Sequence, residues 1–277
     1  MFANENVPLQ TSTMVTQSTV VSDAETLKDS DNIANSGIVF AFGKLHTQQP
    51  QDFALSENAL FTLSSALYPL KFFLRQDCIT NVACGDEHSV FISKSGRVFV
   101  IGKNNMGQLG LDMETTKVVT RPVCVKSLKS DRAYQVGCGA EHTLLAIYKP
   151  DGSRQVVAFG ANGYCQLGIG RNAGEMCATP QVVLQNMEED VLVLDGGRSH
   201  SAAVTSNHKL LVWGEAPEGQ LGLGEQTLLA EFPVTVDPPV GYNGFLSISC
   251  GIYSLVFFND LFYNISKCRI LSFPFHF

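Results

Sequence analysis

Apolar residues in this chain come in short runs separated by stretches rich in Gly, Pro, Ser, Asn and Asp. The run Ile38–Phe42 is followed by His88–Ile92 and Arg97–Ile101, and the last two flank the turn residues Ser93-Lys94-Ser95-Gly96. Short β-branched and aromatic runs around a Gly-containing turn predict a β-hairpin. The same hairpin is predicted around Asp151-Gly152 and around Asn207-His208. Further apolar runs, Arg121–Val125 and Thr179–Val183, each contain a Pro near the start and predict one more strand per unit. No apolar run reaches the roughly 18 residues that a spanning helix requires. Residues 1–36 are rich in Ser, Thr, Asn, Asp and Gln without a period of 2 or 3.6, and predict a disordered polar arm.

The chain also repeats itself. A small apolar strand leads into Gly and then a His three positions later: Gly85 with His88, Gly139 with His142, and Gly197 with His200. A degenerate copy has Gly251 with Ser254 in the His place. A second signature is an aromatic or apolar strand ending in Gly, then Gln-Leu-Gly. It reads Gly102 with Gln108 and Gly110, Gly160 with Gln166 and Gly168, and Gly214 with Gln220 and Gly222. Gly43 is the first such strand end, without a Gln-Leu-Gly after it. From Gly102 to His142, from Gly160 to His200 and from Gly214 to Ser254 the distance is 40 positions each time. His88 to Gly102 and His200 to Gly214 are each 14, giving a period of 54, and His142 to Gly160 is 18. The four extra residues fall in the turn-forming stretch Tyr148–Arg154.

Four short strands per period cannot bury two faces alone, so units must stack. Radial stacking of antiparallel sheets makes the predicted fold all-β, a β-propeller. The small pairs Cys84-Gly85 and Cys138-Gly139 predict innermost strands crowded near the axis. Gly110, Gly168 and Gly222 predict positive φ in turns. The repeats occupy 37–256, in units near 37–87, 88–141, 142–199 and 200–254, with a divergent aromatic-rich tail at 257–277.

Composition narrows the function classes. Hydrophobic residues make up 45% of the chain, and the formal charge is −7. An acidic chain argues against nucleic acid bound through its phosphates and against adsorption to anionic membranes. The N-terminal residues lack the basic and apolar regions of a signal peptide, so a cytoplasmic or nuclear location is expected. Eight Cys without a C-x-x-C pair predict free thiols in a reducing compartment.

Candidate chemistry is weighed against structural roles. Cys84 with His88, and Cys138 with His142, have zinc-like spacing. Each pair recurs once per unit and the third unit has Gly196 in place of Cys, so a structural role is favoured and no metal is expected. Ser199-His200-Ser201 cannot form a catalytic relay, because neighbours along a strand point to opposite faces. Gly160–Gly163 lacks the Lys-Ser or Lys-Thr of a phosphate loop, and no cofactor is expected. Phe159 and Trp213 end repeat strands and are expected in the core.

The paired motifs at these spacings resemble the regulator of chromosome condensation repeat family over roughly residues 37–256. Ser36–Lys44, Cys84–Ser89 and Lys103–Leu111 are similar, in the same order, to the opening of a ciliary member. The resemblance implies a seven-bladed propeller, of which about four blades are present here, as in a truncated chain. It implies a non-catalytic scaffold at the cilium or basal body. Its implied partners are ciliary scaffold proteins, the prenyl-binding delta subunit of a phosphodiesterase, and small GTPases. It also carries an alternative, guanine-nucleotide exchange on a Ran- or Rab-type GTPase. Loops 111–120 and 169–178 hold nothing like the protruding wedge of an exchange factor, so docking is favoured. A third reading is a propeller segment of a multidomain ubiquitin ligase. The single basic residue in 1–36, Lys28, weakens a nuclear, chromatin-binding role.

Overall fold

The computed structural model describes residues 40–41, 68–69, 78–224 and 226–258. The expected polar arm, Gly43 and nearly all of the aromatic tail lie outside the described residues. Three antiparallel four-stranded sheets follow one another along the chain. The first comprises β3 (Ile79–Cys84), β4 (His88–Ser93), β5 (Val98–Lys103) and β6 (Val118–Cys124). The second comprises β7 (Arg132–Cys138), β8 (His142–Tyr148), β9 (Arg154–Ala161) and β10 (Met176–Leu184). The third comprises β11 (Val191–Gly196), β12 (His200–Thr205), β13 (Leu210–Glu215) and β14 (Leu229–Val236). Two strand pairs complete the picture: β1 (Phe40–Ala41) with β2 (Tyr68–Pro69), and β15 (Ser247–Cys250) with β16 (Leu255–Phe258).

The sheet and the sequence unit are out of phase by one strand. Units drawn from His to the next Gly-x-x-His, such as 88–141, would start on β4. The strand before each Gly-x-x-His instead pairs with the strand after it, as in Cys84↔Ser89 and Cys138↔Thr143. The tight turn between them forces this pairing, so each sheet begins one strand earlier than the repeat was drawn.

Stacking follows from strict alternation. In β8, Leu144 and Ala146 pack toward the third sheet, while Leu145 and Ile147 pack toward the first. In β9, Val156 and Ala158 face one way and Val157 and Phe159 the other. The central strands β8 and β9 are therefore buried on both faces, which is why they read as continuous apolar runs. The outer strands β6, β10 and β14 each carry a register shift beside a Pro: Pro122, Pro180 and Pro233. Pro cannot donate to a ladder, so it is tolerated at a bulge on an edge strand. The result is a set of blade sheets stacked face to face, with their short β3, β7, β11 and β15 strands innermost.

Candidate functional site

Antiparallel order puts two kinds of segment at one end of every sheet. These are the Gly-x-x-His turn between the first two strands, and the loop after the third strand that contains Gln-Leu-Gly. At this end the repeat residues converge into a clasp between neighbouring blades. In the first sheet, His88 is 3% exposed and its ring lies over Gly85. A Cβ at Gly85 would stand 2.3 Å from both His88 Cε1 and the carbonyl oxygen of Gly139 in the next blade. The same contact recurs from Gly139 to the Gly197 carbonyl, and from Gly197 to the Gly251 carbonyl. The innermost turns thus touch backbone to backbone, as the small residues there predict. Ala140 N–H adds a hydrogen bond to Gly197 O at 3.0 Å.

The histidines reach across the blade boundary. Thr143 Oγ1 donates to the Gln108 carbonyl at 2.8 Å, and its single proton is thereby committed. His88 Nε2, at 3.0 Å from the same oxygen, must then be the donor to it. In the next boundary Ser201 Oγ donates to Gln166 O at 2.7 Å, and His142 Nε2 stands 2.8 Å from that hydroxyl. Gln166 O also accepts the Trp213 indole N–H at 2.9 Å. Each His–hydroxyl–carbonyl chain therefore ties a blade to its successor. At the third boundary Leu255 occupies the hydroxyl position, and His200 makes no hydrogen bond of good geometry among the described residues. Burial lowers the pKa of His88 to about 4, of His142 to about 3 and of His200 to about 4. All three rings are neutral at pH 7, as a single-donor Nε2 requires of His88 and His142.

Gln108, Gln166 and Gln220 shape the loops rather than a ligand site. Each side-chain oxygen accepts the backbone N–H two residues earlier, from Met106, Tyr164 and Glu218. Gly110, Gly168 and Gly222 have φ of +65°, +73° and +66°, as the turn reading expects. The first two also make room for the aromatic before the next strand-ending Gly: Phe159 lies on Gly110 and Trp213 on Gly168. Both aromatics are wholly buried. Gly102, Gly160 and Gly214 have φ of +115°, +118° and +100°, and each lies on the backbone just before the paired His.

Two residues escaped the sequence reading. Asn104 Oδ1 accepts Leu109 N–H, and its Nδ2 donates to Leu111 O and Thr116 O. Asn162 repeats the arrangement, with Nδ2 bonded to Gly170 O and Gly174 O. Both are completely or nearly completely buried. Their signal was an Asn two positions after Gly102 and Gly160; Ala216 in the third copy hid it.

A further buried acid sits at the third boundary. Asp195 Oδ2 accepts Cys250 N–H at 2.8 Å, and Oδ1 accepts Gly196 N–H. Burial raises its pKa to about 6, opposed by these two bonds. The pairs with zinc-like spacing do not assemble: His88 and His142 reach hydroxyls, and no group of three metal-ligating residues exists among the described residues.

What this end presents to solvent lies outside the clasp. Glu87 is paired with Lys103, Glu141 is exposed, and Arg198 donates to the Tyr253 hydroxyl at 2.8 Å while lying over its ring. Asp86 and Ile252 are also exposed in these turns.

Comparisons with known proteins agree with this architecture. The pattern described as the regulator of chromosome condensation repeat matches residues 95–146, and a second pattern for the same repeat matches 79–108. The chain is 33% identical over 199 residues to the X-linked retinitis pigmentosa GTPase regulator of Canis lupus familiaris, covering 70% of this chain and 19% of that protein. It is 32% identical over 200 residues to the human protein of the same name. Against the probable E3 ubiquitin-protein ligase HERC4 of Rattus norvegicus it is 38% identical over 165 residues, 59% of this chain and 15% of the ligase. The chain thus spans about a fifth or less of the length of these relatives. Among solved structures, Prp20p of Saccharomyces cerevisiae superposes with a TM-score of 0.61 at 19% identity, over 80% of this chain and 52% of that one. Residues 79–146 thus carry the regulator of chromosome condensation repeat, and the chain folds as part of a β-propeller.

Proposed function

We propose that this chain is a protein-docking module of the kind carried by the retinitis pigmentosa GTPase regulator. In this reading it binds ciliary scaffold or trafficking proteins and small GTPases through the end of the propeller that bears the Gly-x-x-His turns. The observation that supports the reading most is the 33% identity over 199 residues to that regulator. The geometry supports it too. His88, His142 and the repeat Gln and Asn side chains are engaged in holding turns and blades together, and His200 is buried, which leaves the exposed turn residues to face a partner. The prenyl-binding phosphodiesterase delta subunit belongs among the candidate partners, and a ciliary or basal-body location follows from the same likeness.

The test is a binding panel by surface plasmon resonance: a ciliary scaffold protein, the phosphodiesterase delta subunit, and Ran- and Rab-type GTPases. Stopped-flow nucleotide release is run in parallel on each GTPase. Saturable binding to at least one partner, weakened by Glu141→Lys or Arg198→Glu and without accelerated release, is the expected outcome. Accelerated release would replace this reading with an exchange factor, and absence of binding across the panel would overturn it.

A further inference from the structure

At the end of the sheets opposite the Gly-x-x-His turns, the first blade carries a cluster of cations. The β4–β5 turn holds Lys94 and Arg97. The connector from β6 to β7 holds Lys126 and Lys129, and Arg132 opens β7. All five are exposed. Backbone bonds fix the two segments against each other: Ala133 N–H donates to Gly96 O at 3.0 Å, and Val125 N–H to Val98 O at 2.9 Å. The Arg132 stem lies directly on Gly96. A single 3₁₀ turn, Lys126–Leu128, anchored by buried Leu128, holds Lys126 and Lys129 in place.

The only carboxylate in this stretch is Asp131. It is 8% exposed and already paired with Lys149 at 2.8 Å. None of Lys94, Lys126, Lys129 and Arg132 has a carboxylate partner among the described residues. In a chain of net charge −7 this is a local inversion of sign. The opposite end of the same two blades is acidic on balance, with Asp86, Glu87, Asp112, Glu114, Glu141 and Glu175 against Lys103, Lys117 and Arg171. Exposed cations on adjoining segments reinforce one another's field, which physiological salt screens over about 8 Å.

We infer that this basic patch docks a short acidic segment of a partner protein. Its extent argues for a short ligand. At the same end of the following blades Lys149, Arg154 and Lys209 are paired with Asp131, Asp190 and Glu189, and Glu188 is exposed beside them, so the cluster of cations does not continue across the face. A peptide with a few carboxylates fits within the patch; a nucleic acid duplex or an anionic bilayer extends beyond it. Complementary charge of this kind sets association rate and partner choice.

The experiment uses the whole chain and a fluorescein-labelled hexaglutamate peptide, with a hexaserine peptide as control, read by fluorescence anisotropy. Hexaglutamate is expected to bind saturably and more weakly as salt rises from 50 to 200 mM. The Lys126→Glu/Lys129→Glu variant is expected to lower affinity by about tenfold or more. Lys117→Glu, at the acidic end, is expected to leave it unchanged. Lys126→Gln/Lys129→Gln, matched in melting temperature to the parent, separates lost charge from lost fold and is expected to weaken binding as well. Equal binding by the parent and both double variants, or no hexaglutamate binding, overturns the inference. Tighter binding to duplex DNA or to phosphatidylserine vesicles than to hexaglutamate overturns it in favour of that polyanion.

Discussion

Replacing Thr143 by Val tests the clasp between the first and second blades most directly. The change keeps the shape of the side chain and removes one hydroxyl. That hydroxyl serves two buried groups: it donates to the Gln108 carbonyl and accepts from His88 Nε2. Thr143 and Gln108 are 0% and 2% exposed, so water cannot replace it. A buried polar group left without a partner costs about 1–3 kcal/mol, so two such groups place the loss at about 2–6 kcal/mol. Ser201→Ala removes the equivalent hydroxyl at the next boundary. There Gln166 O keeps the Trp213 indole N–H as a donor, so only His142 Nε2 is orphaned. The expected loss is about 1–3 kcal/mol. Urea unfolding at pH 7.5, followed by far-UV circular dichroism, gives both values, and Thr143→Val is expected to be the more damaging. If Ser201→Ala proved equal or worse, or if Thr143→Val shifted stability by less than about 0.5 kcal/mol, the hydroxyl would not be the shared link described above.

Two further outcomes follow from the same geometry. His88, His142 and His200 have folded pKa values near 3–4, below the unfolded value of 6.5. The unfolded chain therefore takes up protons first, and stability is expected to fall as pH drops from about 6.5 toward 4. Asp195 acts in the opposite sense, since its folded pKa of about 6 exceeds the unfolded 3.8 and its ionised form is disfavoured in the fold. Asp195→Asn is thus expected to steepen the acid loss between pH 6 and 4, and an unchanged pH profile in thermal melts would remove Asp195 from this balance. Gly168→Ala and Gly222→Ala place Ala at the same positive φ, but only the first puts Cβ against a neighbour, 2.8 Å from Trp213 Cδ1, whereas Gly222 has nothing within 4 Å. The left-handed strain of about 1–2 kcal/mol is common to both, so Gly168→Ala is expected to lower the melting temperature further, and equal shifts would refute the packing role of Gly168.

The repeat period, the all-β class and the positive-φ turns were legible in the sequence because each depends on local chemistry. Alternating apolar runs make strands wherever they occur, and a Gly at the same place in each unit marks the same backbone demand. Their place at the ends of repeat strands likewise put Phe159 and Trp213 inside. The phase of the blade was not legible, because a periodic sequence can be cut anywhere and only strand pairing shows that Cys84 lies beside Ser89. Asn104 and Asn162 were missed since their function is to bind loop carbonyls seven to twelve residues away, and a two-copy signal is faint.

The destination of the repeat His lay wholly beyond the sequence. His88 bonds to Thr143, 55 positions later, and His142 to Ser201, 59 positions later. The sequence shows the two ends of each link as separate recurring letters, a His and the hydroxyl residue that follows the next His. It determines that both recur. That one reaches the other across a blade boundary is decided by the stacking of sheets, which brings residues one full repeat apart into contact. The basic patch has the same origin. Lys94, Arg97, Lys126, Lys129 and Arg132 are scattered over nearly forty positions of an acidic chain, and they meet only because antiparallel pairing returns each hairpin turn to the end of the sheet from which the next connector departs.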